Sequence, residues 1–196
     1  AMQLADSAHC GSCHTLYTPA LDAEGNYLGE FPEQTTYLEW EHSQIKQTCQ
    51  DCHLPDAVGA VVISNRPRRL TARNPFGQHH YVGGNSFMVN LLKTNQANLG
   101  VTADATHLDA TISRTIDQIE QNTATVAATA SLTDAGNRLK VTVDVANLAG
   151  HKFPSGLPSR RAWLHVTVAD IGGNIVYESG RPLEDGSIEG NDADMN

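Results

Sequence analysis

Two copies of one pentapeptide, Cys10-Gly11-Ser12-Cys13-His14 and Cys49-Gln50-Asp51-Cys52-His53, use up all four cysteines of the 196-residue chain. Two thiols two residues apart and followed at once by histidine make the attachment signature of c-type haem. The thiols form thioethers to the porphyrin vinyl groups, and the histidine turns under the plane to bind the iron. The same thiols would serve a zinc site, a thioredoxin-like dithiol or a disulfide framework. A zinc ribbon, however, wants its CxxC pairs about 15 to 20 residues apart, whereas 35 residues separate Cys13 from Cys49. Zinc also has no need of a histidine after both pairs. The expectation is therefore two haem c groups, attached at Cys10/Cys13 and Cys49/Cys52 with His14 and His53 as proximal ligands, and a fold that must wrap two rigid discs.

The composition agrees. Hydrophobic residues make up 40% and aromatic residues 6% of the chain, lean for this length, so something besides side chains is expected to fill part of the interior. With 13 Lys+Arg against 22 Asp+Glu the formal charge is −9, and a surface of that sign repels phosphate backbones, so nucleic acid is not an expected partner. No run of about 18 apolar residues predicts a membrane span, and the opening residues have no charged-then-apolar leader.

Nine histidines leave His9, His42, His79, His80, His107, His151 and His165 once His14 and His53 are assigned. A low-spin iron needs a sixth ligand. A second imidazole there makes an electron-transfer site, and an open position lets the iron bind substrate. Methionine is a weak alternative, because Met2 and Met195 lie at the ends and only Met88 is internal.

Along the chain, residues 15–34 have no sustained period and read as loop. Thr36-Tyr37-Leu38-Glu39 reads as a capping-box start, after which Leu38, His42, Ile45 and Cys49 fall on one face of a helix over 36–48 that runs into the second motif. That face makes His42 a candidate ligand, against the alternative of a partly buried structural histidine. Arg66, Arg68, Arg69 and Arg73 form a basic cluster in an acidic protein, suited either to pairing with haem propionates or to a solvated loop. Helices are expected over 85–97 and 102–122, the second with Leu108, Ile112, Ile116 and Ile119 as its stripe. From about residue 124 the period falls to 2. Val126 to Leu132 and Leu139 to Val145 alternate with polar residues around Asp134-Ala135-Gly136-Asn137, a hairpin with one buried face, and a second pair flanks Asp170–Asn174. The fold class is α+β: a dihaem-binding region over 1–122, irregular and helical, then an antiparallel, sandwich-like β region over 123–196. Within it, Gly150-His151-Lys152-Phe153-Pro154-Ser155-Gly156 is a loop that offers His151 as a ligand.

Trp40-Glu41-His42-Ser43 leading to the second CxxCH, His79-His80-Tyr81-Val82-Gly83-Gly84-Asn85, the Gly150–Gly156 segment and Ser159-Arg160-Arg161-Ala162-Trp163-Leu164-His165-Val166 together resemble the multihaem c-type cytochromes of metal-reducing and related bacteria. The resemblance runs from about residue 36 to 190. It implies bis-histidine haems, a β-rich C-terminal portion and a periplasmic or extracellular electron carrier. It nominates His79 and His151 as distal ligands, with His42 in reserve. Members of that family often continue past a segment like Asn191-Asp192-Ala193-Asp194. The expected function is one-electron transfer between redox partner proteins. Two alternatives stand beside it: a subunit of a cytochrome filament, in which neighbouring cytochrome subunits form a homo-polymer, and a nitrogen-compound redox enzyme subunit with one open haem.

Overall fold

A computed structural model describes residues 3–190; the Asn191–Asp194 segment lies outside them. The chain divides into two units, Ala1–Pro158 and Ser159–Asn196. The architecture is mixed α+β, with short helices and three separate two-stranded antiparallel sheets.

In the first unit, α1 (Ser7–Gly11) carries Cys10 and is capped by the Asp6 carboxylate, which accepts from the Ala8 N–H. A hairpin follows where loop is expected. Strand β1 (Leu16–Leu21) pairs with β2 (Tyr27–Gln34), and the ladder brings Gln34 back opposite Leu16. Pro19 and Pro32, together with register shifts at Leu16/Tyr17 and Ala20/Leu21, erase the alternation a strand normally shows. In a two-stranded ladder both strands are edges, so proline can sit with its missing donor facing outward. The turn is closed by Asp22, whose carboxylate accepts from the N–H groups of Glu24 at 3.0 Å and Asn26 at 2.7 Å, with Gly25 at φ +84°.

The helix expected over 36–48 is instead two short ones, α2 (Thr36–Glu41) and α3 (Cys49–His53). Between them the Trp40 indole N–H donates to the Gln47 carbonyl at 2.8 Å, which folds the intervening residues into a turn. The face shared by His42 and Cys49 is consequently not formed. The capping box lies one helix later than read. Thr48 accepts from the Asp51 N–H, and the Asp51 carboxylate accepts from the Thr48 N–H, while Thr35 makes no side-chain cap on α2.

Beyond a loop over residues 55–78, the stretch expected as one helix over 85–97 divides at Asn95 into α4 (Ser86–Thr94) and α5 (Gln96–Leu99), the latter closed by Gly100 at φ +64°. Helix α6 (Ala105–Asn122) is capped by Asp104 and packs on α4, where Lys93 and Asp109 form an ion pair. Its inward face is Leu108, Ile112, Thr115 and Ile119. Thr115 is the most deeply buried of these, and Ile116, expected in the stripe, is exposed.

Strands β3 (Ala124–Thr133) and β4 (Arg138–Asn147) form the expected hairpin, with Val126, Ala128, Ala130 and Leu132 opposite Val145, Val143, Val141 and Leu139. It belongs to the first unit, and its apolar row is not buried: Val126 is 63% and Leu132 69% exposed. In the second unit β5 (Val166–Ala169) pairs with β6 (Ile175–Ser179) around an Asp170 turn, a shorter ladder than the alternation from Ala162 predicts.

Side chains alone build little core. Among the described residues Val82 and Ile188 are the buried hydrophobics.

Candidate functional site

The two CxxCH segments lie side by side. The Ser7 hydroxyl, 1% exposed, accepts from the Cys49 N–H at 3.1 Å, and the Gln50 amide donates to the carbonyls of Leu4 and Asp6, both at 3.0 Å. Burial, followed by the Cys49 thiol hydrogen-bonded to it, pushes the Cys10 thiol above its ordinary pKa. Burial, then the Asp51 carboxylate, does the same to Cys52. None of the four cysteines is joined to another in a disulfide. Gly11 permits the close approach of the next element: a Cβ there would lie 2.6 Å from Cγ of Tyr37.

The strongest geometric feature is at the second motif. The rings of His53 and His151 have centres 6.4 Å apart and planes within 16° of parallel. An imidazole nitrogen lies about 2.0–2.1 Å from a first-row metal ion and its ring centre roughly 1.2 Å further, so two imidazoles on opposite sides of one ion have centres about 6.4 Å apart. Each ring also has its Nδ1 occupied: His53 Nδ1–H donates to the carbonyl of buried Val82, and His151 Nδ1–H to the Lys152 carbonyl at 2.8 Å. Such bonds fix the tautomer and leave Nε2 as the nitrogen able to bind a metal ion. Val82 N–H in turn donates to the His53 carbonyl, so that one residue holds His53 at both ends.

His151 is placed by α2. Glu39 accepts through Oε2 from the Lys152 N–H at 3.0 Å and from the Ser155 hydroxyl at 2.8 Å. The Asn147 amide donates to the His151 carbonyl at 2.8 Å. Gly150 lies against Trp40 and Ile45, where a Cβ would be 3.0 Å from the indole.

At the first motif, His14 Nδ1–H donates to Gln34 Oε1 at 3.1 Å, again leaving Nε2 free. No imidazole among the described residues faces His14 at the spacing seen at His53. His42 caps α2, with Nδ1 on the Leu38 carbonyl at 2.7 Å. The exposed His79 lies against the Tyr81 ring, centres 5.7 Å apart. His165 spends its Nε2 on Glu178 at 2.8 Å, which occupies the nitrogen a ligand would need.

Arg66, Arg68, Arg69 and Arg73 are all exposed on the 55–78 loop and make no ion pair with a described residue. That loop is a narrow ribbon closed by reciprocal bonds between Val61 and Arg73 at 2.9 Å and by Gln78 N–H on the Pro55 carbonyl at 2.9 Å. It carries the chain from the second motif round to His79 and Val82.

Sequence reasoning missed three positioning residues. Gln34 lies in a segment with no sustained period, Val82 acts through its backbone, and only Glu39, at a fixed distance after Thr36, belongs to a sequence pattern, that of a capping box. The donor set suits haem c, since two thiol pairs, a histidine after each and one preset imidazole pair match its requirements. The near-absence of a polypeptide core accords with a large apolar group. Buried Thr15 Oγ1 and Gln50 Oε1, both at the motifs, have no hydrogen-bond partner among the described residues. No group of three or more His, Cys, Asp or Glu among the described residues is gathered as a metal site of its own. No helix among the described residues is long and apolar enough to cross a membrane.

No family model matches the chain, and no curated relative does. Among solved structures the fold is similar to that of a penta-heme cytochrome c552 from Thermochromatium tepidum, with a TM-score of 0.53 and 20% identity over 91% of this chain. The chain spans about a third of that protein, 32% of its length.

Proposed function

We propose that this chain is a c-type cytochrome that holds two haems and passes electrons one at a time between redox partners. The observation that supports it most is the His53–His151 pair, whose ring spacing suits two imidazoles held by one metal ion and whose Nδ1 atoms are already engaged. Bound haem supplies a one-electron iron couple. Cys49 and Cys52 would attach it, and His53 and His151 would hold its iron and keep small molecules off the metal. Cys10, Cys13 and His14 would hold the first haem, with His79 proposed as its second imidazole and His42 the alternative. Arg66, Arg68, Arg69 and Arg73 are the proposed propionate partners, because carboxylates are the groups that match unpaired guanidinium forks. The penta-heme neighbour accords with this reading through its fold. Thioether attachment takes place on the export side of a membrane, which puts the protein in the periplasm or outside the cell.

Denaturing mass spectrometry should find a chain heavier by two haems, and the reduced spectrum should be low-spin and unchanged by carbon monoxide. Free thiols or bound zinc would end the proposal. A second reading follows from His14, which faces no imidazole among the described residues: an open first iron and a redox enzyme subunit. Carbon monoxide binding to half of the haem would favour it.

A further inference from the structure

We infer that Gln34 is a positioning residue that sets the reduction potential of the first haem through His14, whereas the potential of the second is set by backbone. The inference rests on the dihaem reading above. The two proximal histidines are oriented by different kinds of acceptor. His53 Nδ1–H meets the main-chain carbonyl of buried Val82, which no side-chain substitution removes. His14 Nδ1–H meets a side-chain amide oxygen, Gln34 Oε1 at 3.1 Å. Gln34 is in reach because the β1–β2 ladder starts at Leu16, two residues after His14, and ends by pairing that residue with Gln34.

The chemistry gives the sign. An acceptor on Nδ1–H pulls that proton away and raises the basicity of Nε2. A more basic ligand donates more to the metal and favours Fe(III) over Fe(II), lowering the potential. Removing the acceptor raises it. Outer-shell partners of a metal-bound histidine change metal affinity by about 10- to 100-fold. A tenfold change in the preference for one oxidation state is about 59 mV in a one-electron couple.

The test is a potentiometric titration of the intact holoprotein and two variants, followed by absorbance and by electron paramagnetic resonance. Gln34→Leu should raise one of the two midpoints by at least a tenfold change in the Fe(III)/Fe(II) ratio, Gln34→Glu should lower that same midpoint, and the other should stay in place. A merely structural role would not move the midpoint in opposite directions, and a simple charge effect would leave Gln34→Leu at the wild-type value. Unmoved midpoints in both variants, or equal movement of both midpoints, overturn the inference. Gln34→Met keeps the length of the side chain without its acceptor oxygen, so it takes the place of Gln34→Leu and should raise the same midpoint if Gln34→Leu fails to fold. Failure of the dihaem reading shows separately, as a wild-type mass lacking two haems.

Discussion

Glu39 is the residue on which the placement of His151 depends most directly, and Glu39→Ala is the sharpest perturbation of it. Its Oε2 accepts from a backbone N–H at 3.0 Å and a hydroxyl at 2.8 Å, both in the segment that follows His151. A hydrogen bond to a charged group contributes about 1.5–3 kcal/mol. Partial exposure puts both bonds at the low end, so removing the pair costs docking of the His151 loop about 3 kcal/mol, a factor of roughly 100 in the docked-to-undocked ratio. Two assays read this. Hydrogen exchange at the Lys152 amide should quicken by up to that factor, and in the holoprotein a fraction of the haem should become accessible to carbon monoxide. Glu39→Gln keeps an oxygen in place but loses the charge, so it should lie between the two. A Glu39→Ala protein whose Lys152 amide exchanges as slowly as wild type would refute the clamp, whatever its haem content.

His151→Ala should turn one haem high-spin and open it to carbon monoxide, whereas His165→Ala should leave the absorption spectrum unchanged; the ferric and reduced spectra check both. Asn85 caps α4 by accepting from the Met88 N–H at 3.0 Å, so Asn85→Ala should lower stability by about 1 kcal/mol in denaturant unfolding. Gly11→Ala should drive a methyl into the Tyr37 ring and destabilise the first motif by about 1–3 kcal/mol, seen as a lower Tm. Asp22 and Asp170 are held below the usual carboxylate range, chiefly by Asn26 and Asn174 respectively. Each depressed group adds stability that is fully present above its unfolded pKa and is lost as pH falls through the folded one. Amide protection in both turns should therefore hold at neutral pH and fail only below about pH 4.

The β3–β4 hairpin was legible because its signal is local, an unbroken period of 2, as is the five-residue motif that nominates the cysteines and the histidines after them. The β1–β2 hairpin was not, since Pro19, Pro32 and two register shifts cancel the alternation, although its turn has a twin. Asp22-Ala23-Glu24-Gly25-Asn26 and Asp170-Ile171-Gly172-Gly173-Asn174 share an Asp that accepts from the Asn four residues on, and a glycine at φ +84° or +83° before that Asn. Only the second was read as a turn. The resemblance had nominated His151 for its loop motif, but its juxtaposition with His53 depends on Glu39 and Gly150 meeting elements more than a hundred residues away. Asn85, part of a motif that nominates His79, caps a helix. The exposed apolar row of β3–β4 shows why alternation foretells a strand without foretelling what covers it.

The root of that hairpin has a consequence for how the protein can vary. The chain leaves α6 at Thr123 and is back beside it after β4, because the Thr123 carbonyl accepts from both Leu148 at 2.9 Å and Ala149 at 3.3 Å, and Ala124 pairs with Asn147. The start of the His151 loop is thus pinned to the end of a helix, and the strands between are an excursion that returns to its origin. Closing a longer excursion costs only about 0.6 kcal/mol per doubling of its length. Residues can be added at or removed from the Asp134–Asn137 tip, even to the size of an inserted domain, while the imidazole stays anchored where α6 ends.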